Sequence, residues 1–287
     1  MEQPVYVGRE AIAEARAGRG FTGRAGGLWC AGSLAGLGRP CVALVGTRAA
    51  SPLGRRLAAG FARELGAAGC TILSGLALGI DAAAHTGALE AGAPTIGVLG
   101  SGHLRFYPAR NRALAGRMIE AGGAVLSPFD PENEARPGQF LARNGIVAAL
   151  ADAVVVVEAP ARSGALNTAG WAAGRIPVLA VPGDVDRPQV QGCLALIRDG
   201  ATLARGPQDV LEALGLGTLP MEAPAGTQAR DPVAASLLAA LDSGAARLDD
   251  LALAIGGNAA TALSALAMLE LEGVVERCGM DAFARVR

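Results

Sequence analysis

The stretch Cys41-Val42-Ala43-Leu44-Val45-Gly46-Thr47-Arg48-Ala49-Ala50-Ser51-Pro52-Leu53-Gly54 decides the fold. A short apolar run ends in glycine, and a Ser-Pro pair then opens an alanine-rich segment. The run is apolar at odd and even positions alike, as in a strand buried on both faces. Ser51 is a good N-cap and Pro52 suits the first helical position, so a helix is expected to about Ala67, stopped at Gly69.

The same strand-then-helix unit recurs outward from this stretch. After Val42 to Val45, further strands are expected at Thr71 to Ser74, Thr95 to Leu99, Ala124 to Ser127, Val154 to Val157, Val178 to Val181 and, shorter, Thr202 to Ala204. Helices are expected near Ile80 to Glu90, Asn111 to Ala121, Gln139 to Leu150, Ala165 to Ala173, Leu194 to Arg198 and Pro207 to Leu214. Strands alternating with helices and joined right-handedly make an α/β fold with a doubly wound parallel sheet of the Rossmann type, over residues 41–214.

Residues 215–231 are rich in Gly, Pro, Ala and Thr without periodicity and read as a linker. Residues 232–287 offer three helices, Pro232 to Leu241, Leu248 to Ile255 and Ala259 to Glu270. A hairpin follows, Val274 to Arg277 and Phe283 to Val286, turned at Gly279 to Asp281. That order is a small C-terminal winged helix. In residues 1–40, Leu28 to Ala31 fits an edge strand behind a Gly/Arg-rich loop, with no function assigned.

The chain has 287 residues, 51% hydrophobic and 18% charged, which excludes compositional disorder. Lys+Arg 25 against Asp+Glu 26 gives a net charge of −1, which argues against a nonspecific basic coat but not against local patches. No lysine occurs, so every fixed cation is an arginine, whose planar fork suits phosphate; GC-rich codon usage produces the same bias. Five cysteines without CxxC spacing imply neither a zinc site nor a disulfide framework, and fit reduced thiols in the cytoplasm. No signal core or long apolar span is present, so no membrane contact is expected.

In an open parallel sheet, ligands bind beyond the carboxyl ends of the strands, where helix N-termini present free N–H groups. The first such turn matches neither GxGxxG nor GxxxxGK[ST], so no dinucleotide cofactor or P-loop is expected; Arg48 and Ser51 beside a helix start fit one phosphate, or Arg48 an internal carboxylate. The second turn, with Gly75 and Gly79, permits close backbone approach. Asp81 and His85 behind it fit either an acid/base pair or a turn cap and a packed imidazole. Arg105-Phe106-Tyr107-Pro108-Ala109-Arg110-Asn111-Arg112 is the densest basic stretch and carries two aromatics, the mixture that a groove for single strands uses, although a solvated helix face reads alike. Phe140, Arg143 and Asn144 share one helical turn. The small-residue turn at Ser163, Gly164 and Thr168 fits an anion cradle, and Glu158 at a strand end fits a base or a partner of Arg48 or Arg143.

Together and in this order, these residues resemble the DNA-processing protein A (DprA/Smf) family. Its motifs stand as Val45-Gly46-Thr47-Arg48 with Ser51 and Gly54; Ser74-Gly75-Leu76-Ala77-Leu78-Gly79-Ile80-Asp81 with Ala84-His85; Val98-Leu99-Gly100-Ser101-Gly102 with Tyr107-Pro108 and Asn111; Phe140 with Arg143-Asn144; Ser163-Gly164 with Leu166 and Thr168; and Ala180-Val181-Pro182-Gly183. The resemblance implies an extended Rossmann fold, often with a winged helix, that binds single-stranded DNA, forms a homodimer and loads the RecA recombinase onto incoming strands in natural transformation, a homologous-recombination step of competence. It implies no catalysis, cofactor or metal. It puts Arg48, Phe140 and Arg143 at the DNA pocket, with backbone donors from the Gly75 to Asp81 and Ser163 to Thr168 turns.

Four positions depart from the pattern. Gly145 stands for a usual second arginine, Ser127-Pro128-Phe129 lacks the usual glutamate, Leu104 lies near an expected aspartate, and Leu194 replaces an asparagine. Losing one guanidinium is expected to remove about one phosphate contact and flatten the salt slope. The family's N-terminal helical domain is expected to be eroded or missing in residues 1–40. From Arg230 onward five arginines face eight acids, and the expected recognition helix, Asn258 to Glu270, has no basic residue, so the winged helix reads as a protein-contact or packing module. The alternative from the enzyme class is a nucleotide phosphoribohydrolase similar to the LOG family. Its turn leads into catalytic acids, where this chain has Asn167, Thr168, Ala169 and Gly170.

Overall fold

The computed structural model describes residues 3–217, 232–242, 246–271, 274–278 and 281–285. The chain divides into two compact units, Met1–Leu219 and Pro220–Arg287. Most of the expected linker, residues 218–231, lies outside the described residues, as do residues 279 and 280 of the hairpin turn and Val286.

The first unit runs β1 (Val5–Gly8), α1 (Arg9–Ala15), β2 (Gly27–Gly32), β3 (Cys41–Gly46), α2 (Pro52–Ala67), β4 (Thr71–Ser74), α3 (Ile80–Glu90), β5 (Thr95–Val98), α4 (Arg112–Glu120) and β6 (Ala124–Ser127). It continues with α5 (Pro137–Leu150), β7 (Ala153–Glu158), α6 (Gly164–Ala172), β8 (Val178–Ala180), α7 (Gln191–Arg198), β9 (Thr202–Leu203) and α8 (Pro207–Ala213). The sheet order is β1-β2-β6-β5-β4-β3-β7-β8-β9, parallel from β6 through β9. The chain leaves β3 toward β4 on one side and returns to β7 on the other, which opens a crevice at that switch point.

Residues of β3 and β7 alternate between two cores. Ala43, Val45, Val154 and Val156 pack against α5 and α6 through Ile146, Val147, Leu150 and Ala165. Val42, Leu44, Val155 and Val157 pack against α2 and α3 through Phe61, Leu65, Ile80 and Ala84. Burial on both faces is why these strands carry no polar position before their ends. Ser51 caps α2 as expected, its Oγ accepting from Gly54 N at 2.9 Å.

The N-terminal segment corrects the sequence reading. The strand around Leu28 to Ala31 is not an edge: β2 pairs antiparallel with β6 on one side and with β1 on the other, and β1 forms the edge. Buried Arg16 fastens the segment to the sheet, donating to Leu150 O and pairing with Asp152 at 3.1 Å.

The second unit is built from α9 (Pro232–Leu241), β10 (Ala246–Arg247), α10 (Leu248–Ala254), α11 (Ala259–Leu271), β11 (Val275–Arg277) and β12 (Ala282–Arg285). Leu237, Leu251, Leu266 and Phe283 form its core. The order of three helices and a hairpin is the winged helix expected, with one addition: β10 joins the hairpin as a third strand beside β12.

Candidate nucleic-acid interface

At the switch point the ends of β3, β4 and β7, the first turns of α5 and the N-terminus of α6 enclose a cavity of about 660 Å³. It collects nine of the expected residues: Arg48, Gly75, Asp81, Phe140, Arg143, Asn144, Ser163, Gly164 and Thr168. Arg48 and Arg143 therefore share one rim.

Arg143 is only 4% exposed. Its Nη1 donates to Val98 O at 2.9 Å, its Nε has no hydrogen-bond partner, and it forms no ion pair among the described residues. Burial pushes the guanidinium down to about 10, with Asp81 opposing and Arg48 adding to the fall, so it remains charged at neutral pH. The seat exists because residue 75 has no side chain: a Cβ on Gly75 would stand 1.6 Å from Arg143 Nη1.

Asp81 is the one acid lining this cavity. Its Oδ2 accepts from Gly75 N at 3.0 Å and Ala77 N at 3.3 Å, so it holds the β4–α3 turn in shape. Burial raises its pKa, opposed by Arg143 and these hydrogen bonds. The turn also needs Gly79, which has φ +83° and whose Cβ would meet Thr47 O at 2.3 Å. The suggested acid/base pairing with His85 is not formed. Buried His85 instead meets Thr95 Oγ1 at 2.7 Å through Nδ1. The Thr95 hydroxyl already donates to Ile72 O, so His85 Nδ1 carries the proton, and burial pushes the imidazole down to about 3.

At the mouth, exposed Arg48 lies 5.1 Å above the Phe140 ring and makes no hydrogen bond or ion pair among the described residues. Tyr107, 48% exposed, stands 5.7 Å from the same ring. Ser163 caps α6 through Ala165 N at 3.3 Å, and Asn144 Nδ2 ties α5 to the turn at Gly164 O, 3.0 Å away. Arg162, just ahead of that cap, lines the cavity and is exposed. It was not singled out from the sequence, although an arginine directly before a capped helix start is the available signal.

Five expected residues lie off the lining. Ser51 donates its hydroxyl to Glu158 Oε1 at 2.8 Å, and Arg187 pairs with the same oxygen at 2.9 Å; Glu158 is thus neither a base nor the partner of Arg48 or Arg143. Asn111 is buried, donating to Leu76 O at 2.8 Å and Ala77 O at 3.0 Å, so it braces the turn from behind. Gly79 acts through backbone shape, as above. Arg110 is exposed away from the lining, and Arg112 lies 5.6 Å from the Phe106 ring.

Fold and cavity define a Rossmann-type protein with an arginine-lined, aromatic-rimmed pocket at its switch point. The sequence model of the family DNA recombination-mediator protein A matches residues 22–215, and that of the DprA winged helix domain matches residues 221–279. The chain belongs to the DprA/Smf family. The Smf protein of Escherichia coli is 41% identical over 194 residues, covering 67% of this chain and 52% of that protein. The structure of DNA processing protein A from Streptococcus pneumoniae matches with TM-score 0.60 and 40% identity, over 64% of this chain and 65% of that one. A structure of DNA processing protein A from Helicobacter pylori, concerned with its single-stranded DNA binding mode, matches with TM-score 0.60 and 30% identity, over 67% of this chain and 88% of that one.

Proposed function

We propose that this chain is a non-catalytic, cytoplasmic single-stranded DNA-binding protein that acts as a homodimeric recombination mediator and loads RecA onto incoming strands in natural transformation. The observation that carries the reading is Arg143: a buried guanidinium on the wall of a cavity, with no direct ion pair among the described residues and an Nε without a hydrogen-bond partner, is costly unless an anion completes it, and Asp81 offsets that cost only in part. A backbone phosphate supplies that anion, with the N-terminus of α6 adding N–H donors. Phe140 and Tyr107 at the mouth offer ring faces that only unpaired bases can reach. The family description and the Helicobacter pylori protein support the same reading.

Fluorescence anisotropy tests it. Oligo-dT is expected to bind at least about tenfold more tightly than the corresponding duplex, and Arg48→Ala to weaken that binding. Equal affinity for the two, or an unchanged Arg48→Ala variant, overturns the proposal. Release of free base from a nucleoside monophosphate would favour the phosphoribohydrolase instead; α6 brings Asn167 and Thr168, and no carboxylate, to its first turns.

A further inference from the structure

A second cavity, of about 510 Å³, lies on the other side of α5. The first cavity takes Pro137, Phe140, Leu141, Arg143, Asn144 and Val147 from that helix, and the second takes Ala142, Gly145 and Ile146. At 100° per residue these sets face nearly opposite directions. Two rings, Trp171 and Phe129, and two guanidiniums, Arg24 and Arg175, line the second cavity, and no acid does.

Arg24 lies 5.2 Å from the Trp171 ring. Such contacts occur about once per 70–80 residues, so about four are expected in a chain of this length, and the contact alone says little. The state of the charges says more. Arg9 also lies beside a ring, but its donors are used by Gly23 O and Phe21 O at 2.8 Å each. Arg24 is exposed and makes no hydrogen bond or ion pair among the described residues. Arg175 donates to Trp171 O at 3.4 Å and to Thr22 Oγ1, which fixes the rim around the indole, and it too has no carboxylate partner there. Gly145 lets the ring pack close to α5: a Cβ there would stand 3.3 Å from Trp171 Cε2, so a larger side chain would crowd the half-buried indole.

A half-buried indole that borders the cavity between two guanidiniums without carboxylate partners among the described residues fits a planar group carrying an anion. We propose that the Arg24–Trp171–Arg175 cavity is a second nucleotide subsite, which stacks a base on Trp171 and holds the adjoining phosphate on Arg24 and Arg175 of a strand already seated in the first cavity. The subsite rests on the single-strand reading above. A helix is about 10–12 Å across, so an oligonucleotide reaches both cavities and a mononucleotide does not.

The chain contains two tryptophans, so Trp29→Phe leaves Trp171 as the sole indole reporter. In that full-length background, oligo-dT is expected to quench the emission, whereas dTMP at the same concentration leaves it unchanged. Arg24→Glu alters an exposed side chain without hydrogen bonds; it is expected to remove most of the quenching and weaken oligo-dT about three- to tenfold. Quenching by dTMP at that concentration, or oligo-dT binding by anisotropy with silent Trp171 and a neutral Arg24→Glu, overturns the second subsite alone when Arg48→Ala still weakens binding. Absence of any oligo-dT binding overturns both this subsite and the single-strand reading.

Discussion

The arginines of the two units differ in how they are satisfied. In the winged helix, Arg247 pairs with Asp281, Arg285 with Asp242, and Arg277 lies 5.1 Å from the Phe283 ring. At the rim of the sheet, Arg48 and Arg162 stand exposed without ion pairs among the described residues, and Arg143 is buried without one. The net charge of −1 hides this contrast. A winged helix is the fold more often associated with DNA, yet here the charges left for a polyanion belong to the Rossmann-type unit. Fold type is thus a weaker guide than the state of each cation.

Acid strikes the first unit's buried groups hardest. His85 titrates near 3 when folded against an ordinary 6.5, so between those values the unfolded chain binds a proton that the folded chain refuses. Its contribution is intact above about pH 6.5 and is lost as pH falls, by about 1.4 kcal/mol per unit. Asp81, raised by burial, acts with the opposite sign, so the difference between variants is the useful quantity. His85→Gln removes the titration and is expected to flatten the loss in urea or thermal unfolding followed across pH. Parallel curves for the two proteins would refute the neutral, buried imidazole.

Next in size is Gly75→Ala. Its Cβ cannot coexist with Arg143 Nη1 at 1.6 Å, so the guanidinium must leave its seat. Charge-assisted hydrogen bonds contribute about 1.5–3 kcal/mol, so oligo-dT affinity is expected to fall about 10- to 100-fold. Arg143→Met should match that loss of binding, because it removes the same guanidinium from the cavity wall. Wild-type affinity in either variant would erase the contrast between the units. Arg48→Ala is milder, since Arg48 is exposed: about three- to tenfold weaker binding, and a salt slope lower by about 0.7 in anisotropy across a salt series. An unchanged slope would remove Arg48 from the phosphate contacts.

These outcomes also trace what could be read before the structure. β3 and β7 were legible because burial on both faces leaves no polar position in the run. β1 was not: Val5 and Tyr6 are 66% and 53% exposed, and its identity comes from antiparallel pairing with a strand that begins only at Gly27. β10 has two residues, too few for any period. Arg48, Phe140 and Arg143 were legible one by one as residues that follow a strand end or open a helix, and as a group only through the family resemblance. The burial of Arg143 was not, since it depends on a missing side chain at Gly75, in the turn after β4 and far from α5 in sequence. Ser51 and Asn111 show the converse failure: residue types suited to a ligand, spent on Glu158 and on the Leu76 and Ala77 carbonyls.

The smallest effect tests the other side of the contrast. Arg277 is the one described arginine of the winged helix without an ion pair, and so its best remaining phosphate candidate. The charges of this unit oppose that role: Glu276 precedes Arg277, Asp249 and Asp250 sit in the first turn of α10, and α11 carries no basic side chain. A strand approaching this face would meet more repulsion than attraction, and one exposed guanidinium gives little against it. Arg277→Ala is therefore expected to change oligo-dT affinity less than about twofold and to leave the salt slope unaltered. A drop comparable to that of Arg48→Ala would mean that the strand reaches the winged helix despite its acids, and the division of labour between the two units would fail.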